Sequence, residues 1–409
     1  MNSMERVTLA LQHKEADHVP VYPLINSVSR KALGISYEEW TKDVNKCAEA
    51  IIRTTEEVGC DCISTLVDLS VEAADWGQEL EYSEDAAAHP NYQNCLIQTE
   101  DDYEKIQVLN PRETPRMSEH IELARILAEK KGKEMPIVGF VFGPLGILSM
   151  MRGQDNLYVD LMICPEKIKP ALKNIADTIK ELSIALLEAG CHAIMYDTLF
   201  ASRSIMAPEM WDEFEGVYMP DICDAVRAHG GMVMLHNCGN GIYIKEQVER
   251  MHPVLISLQH LPPDCATMAE LKEKYGKDIT IMGHVMPGFI YSATEEEIRE
   301  ECRKQIDAYK KDGGFVLASG CEYPAALDFH MAKVMVEEAR TYGRYGVMAA
   351  ETEQQLREVR RQRAADTPAG HLENIAALLL ERRGVHADRA EVVFHDGKGR
   401  ALPPQPVGV

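Results

Sequence analysis

Two short stretches carry the residue types best suited to hold a metal ion. One reads Leu235-His236-Asn237-Cys238-Gly239-Asn240, the other Ala318-Ser319-Gly320-Cys321-Glu322. His236 and Cys238 stand two apart, so on an extended chain both side chains point the same way. One imidazole and two thiolates suit zinc, a borderline-soft ion without redox chemistry. Three protein donors leave a fourth position open, as in catalytic rather than structural zinc sites. A lone H-x-C also arises by chance, and Cys321 alone would read as a small buried residue. What raises the pair is placement, because each stretch closes an apolar run.

Those runs belong to a repeated pattern of short apolar segments and longer amphipathic ones, the signature of βα units around a parallel sheet. Eight candidate strands fall at residues 18–24, 61–68, 136–142, 192–197, 232–236, 254–259, 279–284 and 315–319. Helical spacing of apolar residues covers 44–58, 168–189 and 327–342. Gly190 follows the second of these as a C-cap. Pro208 opens a helix expected to run to about His229. Thr294 and Glu297 form a capping box for a helix ending near Asp312. Eight strands with crossover helices predict a (β/α)8 TIM barrel, with a doubly wound open sheet as the rival. In the barrel the fifth and eighth strand ends open on the same face and converge across its mouth. The polar, turn-rich stretch 75–113 reads as an insertion after the second strand.

The barrel domain is expected to span residues 1–346. Beyond it the basic residues become almost all Arg, and 347–409 reads as an appended tail. Helices are expected there at 351–363 and 372–383, and a disordered Pro-rich end at 402–409. The chain has 409 residues and a formal charge of −22. That acidity argues against nucleic acid as a partner. No run of eighteen apolar residues exists, so no transmembrane helix and no membrane partner is expected. The first residues, 1–14, carry scattered charges and no apolar core of a signal peptide, which predicts a cytoplasmic protein. Eleven cysteines, odd in number and scattered, do not suggest a disulfide framework. Cys60 and Cys62 sit in an apolar run and read as packing rather than ligation.

At His236 to Gly239 and at Gly320-Cys321 the sequence resembles the cobalamin-dependent methyltransferase branch of the uroporphyrinogen decarboxylase superfamily. Other matching stretches are Arg6 to Val21 (R-x-x-x-A-L-x-x-x-x-x-D-x-V-P-V), Phe142-Gly143-Pro144, and Ser204 to Phe214. The resemblance covers about residues 4–345. It departs at Ser319, where the branch commonly has Pro. The resemblance implies that His236, Cys238 and Cys321 bind Zn2+ and that the ion activates a thiol. It further implies methyl transfer between a methylated corrinoid and that thiol. This chain lacks the D-x-H-x-x-G signature of a cobalamin-binding domain, so the corrinoid is expected on a separate carrier protein or as free cofactor. The decarboxylases of the superfamily hold an acidic porphyrin through arginines near the first strand. Here that region reads Leu24-Ile25-Asn26-Ser27-Val28-Ser29-Arg30, without paired arginines, and a decarboxylase reading is poor.

Further residues at strand ends are candidates for the same mouth. Asp197 and Asp68 end the fourth and second strands and are candidates to orient the imidazole or bind substrate, with a capping role as the bland alternative. Glu322 is a candidate fourth ligand in the resting enzyme. His284, Met282 and Asn240 are candidate contacts for the corrinoid, Met282 being equally at home in a core. His260 and His330 read as structural. Two rival functions stay open. One is the opposite half-reaction, taking methyl from a methoxylated aromatic or methylamine-like donor. The other is a non-catalytic zinc- or tetrapyrrole-binding barrel. The small-molecule partner is a thiol or methyl donor, and nothing in the sequence argues against a homo-oligomer.

Overall fold

The computed structural model describes residues 1–84 and 87–346; the expected tail helices and Pro-rich end lie outside the described residues. Eight parallel strands form one sheet: β1 (Val21–Tyr22), β2 (Ile63–Ser64), β3 (Ile137–Phe142), β4 (Ala193–Asp197), β5 (Met232–Asn237), β6 (Leu255–Leu258), β7 (Thr280–Val285) and β8 (Phe315–Ser319). They pair in the order β1-β8-β7-β6-β5-β4-β3-β2. Every strand residue of β3, β5, β6, β7 and β8 is buried, as expected where helices cover a parallel sheet.

Side chains close the barrel at the β1–β2 seam, where Tyr22 Oη donates to Ser64 Oγ (2.8 Å) and accepts the Ser64 N–H (3.2 Å). Asp61 N–H donates to Val21 O (2.9 Å), and the Asp61 carboxylate accepts the Val21 N–H (2.9 Å). Arg6, from the first helix α1 (Ser3–Leu11), donates to the same carboxylate at 2.7 Å. The arrangement is the (β/α)8 barrel expected from the strand pattern.

The first two strands are shorter than the apolar runs that predict them. Beyond Ser64 one backbone bond remains, from Thr65 N–H to Val138 O (3.0 Å), and the rest of this edge of β3 is met by side chains. Phe140 N–H donates to Thr65 Oγ1 (3.1 Å) and Phe142 N–H to Glu72 Oε1 (3.3 Å). This releases the chain into the insertion, which holds a two-residue hairpin (Leu80–Glu81 with His89–Pro90) and a 3-10 turn at Glu100–Lys105.

The helices between strands follow their local signals. α2 (Val44–Val58) starts on Asp43, whose carboxylate accepts from Asn45 and Lys46 N–H, and stops at Gly59 with φ +84°. After the insertion, α3 (Pro115–Lys131) leads to β3 and α4 (Pro144–Arg152) leaves it. α5 (Pro165–Glu188) precedes β4. The helix opened by Pro208 does not run on to His229. It stops at Phe214, passes through a 3-10 turn (Gly216–Tyr218), and resumes as α6 (Met219–Ala228). Pro220 has no N–H to return to the preceding turn, so it begins a helix but cannot continue one. α7 (Glu295–Tyr309) opens with the capping box of Thr294 and Glu297. α8 (His330–Thr341) starts three residues later than its apolar spacing suggests, with His330 N–H held by the Asp328 carboxylate (2.8 Å).

All eleven cysteines are free thiols. Cys60 and Cys62 are core residues, and burial pushes both thiols well above their usual range. Among the described residues no helix is long and apolar enough to cross a membrane.

Candidate metal centre

His236 and Cys238 leave the end of β5, and Cys321 follows β8. Their donor atoms, one imidazole nitrogen and two Sγ, all lie within 4.8 Å of one another. Zinc bonds of about 2.0–2.3 Å set tetrahedral donors roughly 3.5–3.8 Å apart, so the trio fits such an ion with small side-chain movement. Among the described residues no fourth His, Cys, Asp or Glu joins this group.

Both motif glycines are there because nothing larger fits. A Cβ on Gly239 would lie 2.6 Å from Ser202 Oγ, and one on Gly320 would lie 2.8 Å from Gln259 Cα. The Gly239 loop thus passes against the Ser202 side chain, and the Gly320 loop against the backbone of Gln259. Asn237 ties the first arm down. Its Nδ2 donates to Thr198 O (2.9 Å) and Ala201 O (3.2 Å), and its Oδ1 accepts the Gly239 N–H (2.9 Å). The second arm is held to β1: Ser319 Oγ donates to Pro23 O (2.6 Å), and Tyr323 N–H to Leu24 O (3.1 Å).

The three groups perturb one another. A hydrogen bond from Cys238 pulls the Cys321 thiol far below its usual range, against the opposing effect of burial. The same contact, with burial, pushes the Cys238 thiol up. Burial alone would lower the His236 pKa; its bond to Cys321 and the charges of Asp197 and Cys321 turn the net shift upward. Two sulfurs and an imidazole that perturb one another at hydrogen-bond contact are an arrangement that favours a cation.

His236 is fixed from two other sides. Its Nδ1 is 2.9 Å from Ser257 Oγ on β6, the residue in register with it. The Phe140 ring packs against the imidazole at 5.8 Å between centroids. Sequence reasoning missed Ser257, which looks like any small residue in an apolar strand until strand register is known.

The other candidate residues divide. Asp197 pairs with His236 across β4 and β5, and burial raises its carboxyl to about 6. Its Oδ1 also caps the turn by accepting Leu199 N–H (3.1 Å). Glu322 is turned away from the trio and accepts Ser27 N–H (2.8 Å) and Ser27 Oγ–H; burial raises it to about 7. Asp68 is not in the trio either: its carboxylate binds Arg116 (2.8 Å) and caps Ser70 N–H (2.8 Å). His284 is not brought to the thiols. Its Nε2 lies 3.0 Å from Tyr309 Oη on α7, so the ring faces the outer helix layer. Met282 is buried in the core cluster, and Asn240 is exposed on the loop beyond Cys238.

Two buried carboxyls near this end of the barrel carry no sequence signal of their role. Glu215 accepts Leu145 N–H (3.0 Å) and Trp211 Nε1–H (2.6 Å), and burial raises it to about 7. Glu72, at the β3 edge, rises to about 8 for the same reason. A second cluster, Glu100, Asp160 and Cys164, has no such promise, because Arg152 already neutralises Asp160 at 2.6 Å.

The family profile described as uroporphyrinogen decarboxylase (URO-D) matches residues 2–342. The chain belongs to the URO-D family. Within it the chain is 24% identical over 345 residues to the methylcobamide:CoM methyltransferase MtbA of Methanosarcina mazei, covering 83% of this chain and 97% of that protein. It is 22% identical over 325 residues to the uroporphyrinogen decarboxylase of Cupriavidus metallidurans, covering 76% and 83%. A solved methyltransferase structure from Methanosarcina mazei superposes with a TM-score of 0.70 at 20% identity, covering 84% of this chain and 99% of that one, and shares the barrel fold. The resemblance to the methyltransferase branch read from the motifs agrees with these matches within the URO-D family.

Proposed function

We propose that this URO-D family chain is a zinc-dependent methyltransferase moving a methyl group between a methylated corrinoid and a thiol. The observation that carries the proposal is the meeting of His236, Cys238 and Cys321, whose donor atoms lie within 4.8 Å of one another with no fourth His, Cys, Asp or Glu joining them among the described residues. His236, Cys238 and Cys321 would hold the ion. When bound there, zinc would lower the pKa of a thiol entering the open position, so that a thiolate is present at neutral pH. The overall transfer balances as a thiolate and a methyl–Co(III) corrinoid giving a thioether and a Co(I) corrinoid: the carbon–sulfur bond takes the sulfur's electron pair, and the cobalt keeps the pair of the carbon–cobalt bond.

This chain's residues supply position and environment. Asn237 and Ser319 anchor the two arms, so the donors are held before any ion arrives. Glu322, held by Ser27, leaves the fourth position to the substrate. The methyl carrier would be a separate corrinoid protein or free cobalamin, and the setting the cytoplasm. The decarboxylase alternative is disfavoured because the loop after β1 lacks paired arginines: it offers Arg30 and a Lys31 whose ammonium is held by Ala326 O and Leu327 O, where an acidic porphyrin calls for several cations.

The test is metal analysis joined to a methylcobalamin demethylation assay with a panel of thiols, run against cob(I)alamin methylation with methoxylated aromatics and methylamines. A single zinc per chain and thiol-dependent demethylation are expected, both lost in His236→Ala, Cys238→Ala and Cys321→Ala. Full zinc occupancy in Cys238→Ala would refute the ligand set. Methylation of cob(I)alamin without thiol-dependent demethylation would reverse the direction of transfer.

A further inference from the structure

Ser257 is the one hydroxyl in β6, whose four residues read Leu255-Ile256-Ser257-Leu258 and are all buried. A buried hydroxyl in an apolar strand costs free energy unless it is hydrogen-bonded. Its partner is the Nδ1 of His236, 2.9 Å away and itself buried. The two residues are directly in register on neighbouring strands, so the contact is set by rigid backbone and not by a loop. Phe140 packs against the ring at a 55° tilt.

We propose that Ser257 is a positioning residue that fixes the tautomer of His236. A neutral imidazole has one donor and one acceptor nitrogen. If Nδ1–H donates to Ser257 Oγ, the lone pair is on Nε2 and is available to an ion held with Cys238 and Cys321. If the hydroxyl donated instead, Nε2 would carry the proton and could not ligate. A hydroxyl also differs from the carboxylate often found behind a ligand imidazole, since it orients the ring without adding charge. Asp197, the nearest carboxylate in register, is committed to the Leu199 N–H. The inference rests on the metal reading above, because without an ion His236 is bonded to the Cys321 sulfur; the tautomer is therefore read with zinc bound.

The experiment uses the full chain labelled with 15N-histidine, with His236 assigned by loss of its signals in His236→Asn. In zinc-loaded native protein an Nδ1–H bonded to Ser257 is expected, with Nε2 unprotonated. Ser257→Ala should leave that proton in faster exchange with solvent, and Ser257→Thr, which keeps the hydroxyl, should restore the native pattern. Zinc affinity, measured by chelator competition, should fall roughly 10–100-fold in Ser257→Ala and recover to within a few-fold in Ser257→Thr. A zinc-loaded native protein whose His236 Nδ1 carries no proton overturns the proposal, as does unchanged zinc affinity in a folded Ser257→Ala. A native protein that binds no zinc sinks the metal reading and the role of Ser257 with it, whereas bound zinc without the Nδ1 proton sinks the role of Ser257 alone.

Discussion

Replacing Glu72 with Gln should abolish a large pH dependence of stability. Glu72 is 1% exposed, and one carboxyl oxygen accepts the Phe142 N–H while the other has no partner. Burial raises its pKa from 4.5 to about 8. Between those values the folded chain holds a proton that the unfolded chain has released, so the folded state binds more protons and stability falls as pH rises. The slope is roughly 1.4 kcal/mol per pH unit. From pH 5 to pH 7.5 native protein should therefore lose about 3 kcal/mol through this group. Gln keeps the acceptor for Phe142 and cannot ionise. Urea unfolding of both proteins across pH 5–8 measures the difference. Glu215, Glu322 and Asp197 also titrate high but are common to both proteins and cancel. The Gln variant should gain on native protein by a few kcal/mol between the two ends of the range. A difference that stays flat with pH would refute the claim that Glu72 is held protonated at the β3 edge.

Four further outcomes follow from the geometry. Gly320→Ala puts a Cβ 2.8 Å from Gln259 Cα and should displace Cys321, lowering zinc affinity in chelator competition by about tenfold or more, while Gly146→Ala, with nothing within 4 Å, should leave it unchanged and stabilise α4 by about 0.5–1 kcal/mol. Asp61→Ala strips the β1–β2 seam of its acceptor and leaves the guanidinium of Arg6 without that partner, so denaturant unfolding should show a loss of about 3–5 kcal/mol. His284→Gln should lose about 1 kcal/mol with the Tyr309 contact and bind zinc normally; lost zinc would return His284 to the mouth. Chelation should lower the melting temperature while leaving the far-UV circular dichroism intact, because both arms are anchored by protein hydrogen bonds.

How far the sequence could be read depended on what backbone does and what side chains do. β3 to β8 stand close to where their apolar runs put them, because a strand covered on both faces must be continuously apolar. β1 and β2 shrank because Asp61, Thr65 and Glu72 replaced ladder bonds by side-chain bonds, which no periodicity reports. The break at Glu215 had a local cue in Gly216 and Pro220, but the inward turn of its carboxyl depends on Leu145, seventy residues earlier. His236, Cys238 and Cys321 were visible as candidates because residue type, spacing and strand-end position agree. Ser257 and Ser27 were not, since a serine gains meaning only from what lies across from it. His284 shares the strand-end position and the residue type, yet its ring answers to Tyr309 on the outer helix. A strand end thus nominates a residue, and its facing partner decides the role.

The anchoring of the two arms explains why this site suits exchange of a fourth ligand. β5 carries His236 and Cys238 and is fastened to the β4 loop through Asn237, whereas Cys321 is fastened to β1 through Ser319 and Tyr323. Neither set of bonds passes through the donors themselves. An ion there bridges two already rigid walls, so folding does not depend on it and its coordination can open without loosening the barrel. A structural zinc shows the reverse, with the ion standing in for a core. On the proposed function, a donor trio held by strands, with Glu322 tied to Ser27, would keep its fourth position for an incoming sulfur.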